Sequence, residues 1–213
     1  MEDPWPEAVV EMNIGILGGV FDPPHIVHML IGQLAAEEAY LDRVLLVPTG
    51  RPAHGKTPVA SPQERLEMTK LAAGDNELME VVSYEVDRLA LTSYMLETVE
   101  WLRDTHPGDR LFLILGDDEF CSFHKWHKPE LIADMATIIC VQRSDWGGET
   151  MIPWTPMNLS PKPIFVRCEG LHWSLSSTVI RERIRAEKSI RYLVPDAVRE
   201  YIKELGLYQY DYL

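Results

Sequence analysis

The sequence predicts a single α/β domain built on a doubly wound, mostly parallel sheet with helices on both faces. Apolar runs alternate with helical patterns along the 213 residues, which favours a parallel sheet. The runs LFLIL and TIICV are apolar throughout, as expected of strands that helices cover on both sides. Glycine-containing and polar segments follow several of these runs, at the strand ends where open parallel sheets bind ligands. The predicted architecture is therefore Rossmann-like.

Each element has its own local signal. Strands are predicted at short apolar runs: Met12 to Leu17, Val44 to Val47, Val81 to Val82, Leu111 to Gly116, Thr137 to Val141 and Ile164 to Val166. Helices are predicted where apolar residues recur at helical spacing: Val27 to Tyr40, Pro62 to Ala73, Tyr94 to Arg103 and Pro129 to Asp134. The sequence SPQE from Ser61 fits a capping box with proline at the first helical position, and Gly206 fits the C-cap of a final helix.

Composition limits the possible partners. Hydrophobic residues make up 46% of the chain, as in an ordinary globular protein. The formal net charge is −13, and this negative charge disfavours a nucleic-acid surface. No apolar run approaches the ~20 residues of a membrane span. Three cysteines, Cys121, Cys140 and Cys168, show no paired spacing, which argues against a disulfide framework or a zinc site. We expect small-molecule ligands, no nucleic acid and no membrane.

Residues 1–11 are expected to be a flexible extension, and residues 12–213 the single domain. The start, MEDPWPEAVVE, is acidic and lacks the basic region and apolar core of a secretory signal. We therefore expect a cytoplasmic protein. Oligomeric state is left open, with a homo-oligomer as one possibility.

The segment GGVFDPPHIVH, Gly18 to His28, joins the first predicted strand to the first predicted helix. Glycines let the backbone turn tightly, Asp22 is the predicted N-cap, and a helix start favours a phosphate. His25 and His28 are three residues apart, so their rings share one face. Two cations there oppose the helix dipole unless an anion binds, which predicts a phosphate clamp. The alternative is an ordinary βα turn with one surface and one packed histidine.

A second motif, LSSTVIRERIR, begins at Leu175. Ser176, Ser177 and Thr178 supply hydroxyls at a predicted helix start, and Arg181 falls in the first turn, where the dipole disfavours a cation. A bound polyphosphate would reconcile these features. The alternative is a well-capped surface helix with its arginines in solvent.

The segment GDDEFCSFHKW, Gly116 to Trp126, follows a central predicted strand. His124 and His127 are spaced like helix-borne metal ligands, but no third ligand pattern accompanies them, so solvated side chains are the favoured interpretation. Without a family resemblance, Trp126 is better interpreted as a core or surface aromatic than as a side chain that stacks on a ligand.

Together these motifs resemble the HIGH-type nucleotidyltransferase superfamily. The first motif is similar to its GxFDPxHxGH signature and the second to its ISSTxIR signature, while Gly116 to Trp126 resembles the GxDxxxxxxxW region of bacterial nicotinate mononucleotide adenylyltransferases. The segment SIRYLVPDAVREYIKELGLY, from Ser189, resembles the C-terminus of the same family. The resemblance covers nearly the whole chain from Met12.

The resemblance implies transfer of the adenylyl group of ATP to nicotinate mononucleotide, giving deamido-NAD and pyrophosphate, with Mg²⁺ held mainly by substrate phosphates. It implies that His25, His28 and Arg181 carry catalysis. It implies that ATP is bound by Gly18, Gly19, Val20, Phe21, Asp117, Arg143, Ser176, Ser177 and Thr178. It implies that the mononucleotide is bound by His54, Lys56, Thr92, Tyr94 and Trp126.

Four positions depart from the family pattern. Val20 stands where many relatives have Ser or Thr, Val27 replaces a glycine, Gly55 shifts Lys56 by one, and Met95 replaces a threonine. These departures keep two alternatives open. One is the same chemistry on nicotinamide mononucleotide or another phosphorylated acceptor, and the other is a nucleotide-binding module without catalysis.

Overall fold

Six parallel strands form one sheet in the computed structural model, which describes residues 11–53, 57–88, 92–142, 157–167 and 174–210. The strands are β1 (Asn13–Gly19), β2 (Arg43–Pro48), β3 (Met79–Val81), β4 (Arg110–Gly116), β5 (Ala136–Gln142) and β6 (Ile164–Arg167). The helices are α1 (Ile26–Ala39), α2 (Pro62–Ala73), α3 (Met95–Thr105), α4 (Asp117–Ser122), α5 (Pro129–Met135), α6 (Ser177–Arg185) and α7 (Asp196–Glu204).

The sheet order is β3-β2-β1-β4-β5-β6, and every neighbouring pair is parallel. The chain winds outward from β1 through β2 to β3, and then returns to place β4 on the other side of β1. This reversal makes the carboxyl ends of β1 and β4 the topological switch point, where such sheets open a crevice for ligands. The predicted doubly wound, Rossmann-like fold is confirmed.

Helices cover both faces of the sheet because the strand side chains alternate in direction. On one face the strands pack against α3 and α5 through Ile14, Leu113 and Ile138. On the other face they pack against α1 through Leu46 and Ile114. Continuous apolar strands such as LFLIL are the consequence of this double burial.

A third apolar cluster lies beside the sheet and joins α2, α6 and α7. Met68, Ile180, Val198 and Tyr208 are fully buried within it. This cluster holds the C-terminal segment of the chain against α2 and fixes the position of α6.

The predicted strands and helices agree with the structure to within a few residues at their ends. Gly206 follows α7 with φ +62°, as expected of a residue that ends a helix. The short helix α4 was not predicted, because its sequence DDEFCS lacks a helical apolar period and its acidic residues also suit a loop. None of the helices in the described ranges has the length and apolarity needed to cross a membrane. Residues 1–10 lie outside the described residues, so the N-terminal extension stays a prediction.

Candidate active site

The candidate site lies at the carboxyl ends of β1 and β4. Gly18 and Gly19 are the last residues of β1, in extended backbone, so they do not form the tight turn that was predicted. Side chains pack closely against both glycines. A Cβ on Gly18 would collide with the Cε of Met95, and one on Gly19 would lie 3.1 Å from the Phe21 ring. Met95, which replaces the threonine of the family pattern, therefore fills the space over Gly18.

Phe21 makes the turn that was expected of the glycines. Its φ of +51° is in the left-handed region, which non-glycine residues rarely occupy outside constrained sites. The ring is 2% exposed and meets the ring of His28 edge to face, with centroids 4.9 Å apart. The side chain of Phe21 thus supports a histidine, and only its backbone is left to face a ligand.

His25 and His28 lie on one face, as predicted from their spacing. Their rings stack at 3.6 Å between centroids and 17° between planes. The backbone N–H of His25 donates to Nδ1 of His28 at 3.1 Å. Nδ1 of His28 accepts this bond, so the donor of the ring is Nε2.

Asp22 is not the N-cap of α1, because the helix begins at Ile26 with His25 in the cap position. The Asp22 carboxylate is buried, and it accepts hydrogen bonds from the backbone N–H groups of Val59 (2.8 Å) and Ala60 (3.0 Å). The hydroxyl of Tyr208 donates a further bond of 2.8 Å to its Oδ1. Asp22 therefore ties the segment after β1 to the start of α2 and to the C-terminal segment.

The start of α6 is bonded directly to the first motif. Ser176 is the N-cap, and its Oγ accepts from the N–H of Val179 at 3.3 Å. Ser177 Oγ donates to the carbonyl of Pro23 at 2.8 Å. Residues 154 positions apart in the chain are thereby brought into contact. The exposed Thr178 hydroxyl is one residue further along the helix.

Arg181 completes this junction. Its Nη1 donates to the carbonyl of Asp22 at 2.6 Å and lies 3.6 Å from the Asp22 carboxylate, and Nη2 donates to Thr178 Oγ1 at 3.2 Å. Its Nε is buried and has no acceptor among the residues that the structure describes. The guanidinium is held by its two Nη atoms, and Nε retains donor capacity.

The other residues predicted to bind ATP or the mononucleotide, where the structure describes them, lie after the carboxyl end of β4 and before α3. Asp117 is 3% exposed at the start of α4. Tyr94 precedes α3, and its ring lies 4.5 Å from that of His127, between centroids. Trp126 is half-buried and meets the Phe123 ring at 5.4 Å. The contact between Tyr94 and His127 brings α3 and the segment around Trp126 together.

Some predictions fall where the structure gives no geometry. His54, Gly55, Lys56 and Arg143 lie outside the described residues, and half-buried Thr92 has no described contact with a predicted ligand-binding side chain. His124 and His127 are exposed around one 3₁₀ turn. Within the described ranges, no group of three or more His, Cys, Asp or Glu residues could hold a metal ion.

Residues 16–183 match the family described as cytidylyltransferase-like. The chain belongs to this family. It is 37% identical to a Dictyoglomus thermophilum protein named "Probable nicotinate-nucleotide adenylyltransferase", over 92% of this chain and 100% of that protein. A Thermus thermophilus protein of the same name is 39% identical over 93% of this chain and 100% of its own length. The resemblance to the nicotinate-nucleotide adenylyltransferases is therefore confirmed.

Solved structures agree with the fold of this cytidylyltransferase-like chain. Plasmodium falciparum nicotinic acid mononucleotide adenylyltransferase, complexed with APC, matches with a TM-score of 0.74 over 94% of this chain and 99% of that chain. A structure of the same protein complexed with NaAD matches equally well. Identity is 17% in both comparisons, so they establish the shared fold alone.

Three buried polar side chains of this family member were not singled out from the sequence. Arg65 is 0% exposed, Glu85 is 6% exposed, and Tyr208 is 0% exposed. The sequence signal for two of them was resemblance to the family, in the segment from Ser189 that ends at Tyr208 and in ERLEMTKLA, Glu64 to Ala72, which contains Arg65. Burial raises the pKa of Glu85, while hydrogen bonds from Thr98 and Ser93 oppose that rise.

Proposed function

We propose that this protein transfers the adenylyl group of ATP to nicotinate mononucleotide, forming deamido-NAD and releasing pyrophosphate. The observation that carries the proposal is the bonding of the α6 start to the segment after β1. Ser177 donates to Pro23, and Arg181 donates to Asp22, at the topological switch point. These bonds hold the start of α6 against the segment that leads into His25, His28 and α1, and two adjacent helix starts suit a polyphosphate. The identity of the acceptor, nicotinate mononucleotide, is inferred from the names of the relatives described above.

In the proposed reaction a phosphate oxygen of the mononucleotide attacks the α-phosphorus of ATP. A new P–O bond forms as the bond from the α-phosphorus to the bridging oxygen breaks, and pyrophosphate leaves with the electron pair. The attacking phosphate is already ionised at neutral pH, so no general base is needed. Catalysis then depends on in-line positioning and on donors placed where negative charge develops.

The residues divide this work. His28 donates its Nε2 proton in a hydrogen bond to an α-phosphate oxygen, and His25 supports it by stacking. Arg181, with Ser177 and Thr178, holds the β and γ phosphates. Mg²⁺ is proposed to arrive with ATP and to be held mainly by the substrate phosphates. The Asp22 carboxylate is not proposed as a ligand, because it already accepts hydrogen bonds from two backbone N–H groups and from the Tyr208 hydroxyl. Trp126, Tyr94, Thr92, His54 and Lys56 are proposed to bind the mononucleotide, with Asp117, Arg143 and the segment from Gly18 to Phe21 around ATP.

The cytoplasm stays our prediction for the location of this reaction, because both substrates are intracellular phosphate esters. A homo-oligomer stays open, and a size measurement in solution decides it. The domain limits at residues 12 and 213 stay predictions as well.

Pyrophosphate release tests the function directly. The purified protein is given ATP and Mg²⁺ with nicotinate mononucleotide, nicotinamide mononucleotide or phosphopantetheine at equal concentration. We expect a strong preference for the nicotinate form. Preference for another acceptor would keep the chemistry and change the substrate, while silence with all three would favour a nucleotide-binding module.

His28→Ala tests the site. Removing one preorganised donor of this kind lowers turnover by about 10²-fold or more. His106→Ala is the matched control, because His106 caps the end of α3 just before β4 begins, at the opposite edge of the sheet. A loss of tenfold or less for His28→Ala would remove His28 from the mechanism.

A further inference from the structure

Arg65 is a fully buried cation on α2 whose side chain is bonded entirely to backbone. Nη1 donates to the carbonyl of Val20 at 2.7 Å, Nη2 to that of Gly50 at 3.1 Å, and Nε to that of Ala60 at 3.3 Å. Val20 follows β1, while Gly50 and Ala60 lie at the two ends of the connection between β2 and α2. One planar guanidinium therefore fixes both ends of this connection relative to the segment that follows β1.

Burial of this charge is costly and is offset by neighbouring groups. Desolvation lowers the pKa of Arg65, and the nearby Asp22, Tyr208 and Glu85 side chains oppose that change. Lysine cannot reproduce the arrangement, because only the guanidinium presents donors in a fixed planar fork. The geometry of the fork thus accounts for arginine at this position.

The Gly50 segment leads on to the predicted mononucleotide side. The N–H of Arg51 donates to Ser93 Oγ at 3.1 Å, and the N–H of Ser93 donates to the carbonyl of Arg51 at 2.8 Å. A Cβ on Gly50 would collide with the carbonyl oxygen of Glu85, so this junction is tightly packed. A continuous chain of contacts therefore runs from Val20 through Arg65 and Gly50 to Ser93, which lies between Thr92 and Tyr94.

We propose that Arg65 is a positioning residue for adenylyl transfer, which sets the separation between the ATP-binding segment after β1 and the acceptor-binding segments after β2 and before α3. The inference rests on the proposed function and deepens it. Arg65 touches neither substrate, and it acts through the backbone that carries them. Because in-line attack needs the reacting atoms within about 3–3.5 Å, an error of about 1 Å between the two segments costs up to about 10²-fold in rate.

The test compares wild type with Arg65→Lys and Arg65→Ala. Arg183→Lys is the matched control, because Arg183 also binds backbone with its fork, at the carbonyl of Ser189 (3.0 and 2.8 Å). For each protein, kcat and both KM values are measured by pyrophosphate release. Calorimetry measures the stoichiometry and Kd for an ATP analogue with a methylene bridge between its α and β phosphorus atoms, so that misfolded protein is detected separately.

For both Arg65 variants we expect kcat to fall by at least about tenfold and at most about 10²-fold, with KM, Kd and stoichiometry within about threefold of wild type. Three outcomes overturn the proposal: a fall in kcat of less than about tenfold, a loss of kcat matched by a loss of binding stoichiometry, or a loss explained wholly by weaker substrate binding. An inactive wild type refutes the proposed function instead, so the two failures are distinguishable.

Discussion

Tyr208→Phe tests the buried junction around Asp22. The Tyr208 side chain is fully buried, and its hydroxyl donates a 2.8 Å hydrogen bond to Asp22 Oδ1. Phenylalanine keeps the ring and removes only the hydroxyl. A hydrogen bond to a charged group contributes about 1.5–3 kcal/mol. Oδ1 keeps the Ala60 N–H at 3.0 Å, so it is not left unsatisfied, and we expect the lower end of that range.

The predicted loss in the free energy of unfolding is therefore about 1.5–2 kcal/mol, which lowers Tm by about 3–8 °C in a chain of this size. Burial and the Asp22 carboxylate raise the pKa of Tyr208, so the hydroxyl remains a donor through neutral pH. Urea titration measures the loss, with an unchanged m value. Tyr210→Phe is the control, because Tyr210 is 70% exposed and its variant should lie within about 0.5 kcal/mol of wild type. Equal stability of the two variants would refute the importance of the Asp22 junction.

Two further predictions concern the acceptor side. Trp126→Ala should raise KM for the mononucleotide and leave KM for ATP nearly unchanged, because the indole is proposed to stack on the mononucleotide. Trp126→Phe should keep much of that stacking. Equal effects on the KM values of both substrates would contradict the stacking role. Glu85 has a raised pKa because it is buried, so its contribution to stability is present below the ordinary value of 4.5 and is lost as pH rises through the higher folded value. Glu85→Gln cannot ionise, so its free energy of unfolding relative to wild type should increase with pH above about 4.5; urea titrations showing a constant difference would contradict this.

Sequence patterns that involve only residues close together in the chain were sufficient to predict the fold. The apolar run LFLIL predicted β4 because a strand buried on both faces has no polar side. The capping box at Ser61 predicted the start of α2 because its hydrogen bonds lie within four residues. The three-residue spacing of His25 and His28 likewise predicted that their rings share one face.

The sequence by itself thus determined the alternation of strands and helices and the two motifs that the fold bonds to one another. Only the tertiary structure decided what Asp22, Arg65 and Tyr208 do. Arg65 meets Val20 across 45 residues, and Tyr208 meets Asp22 across 186. Such contacts exist because α2, α6 and α7 pack into one apolar cluster beside the sheet, and burial then requires each polar atom to find a partner there. No local spacing encodes that partner, since it is chosen by packing between segments distant in the chain.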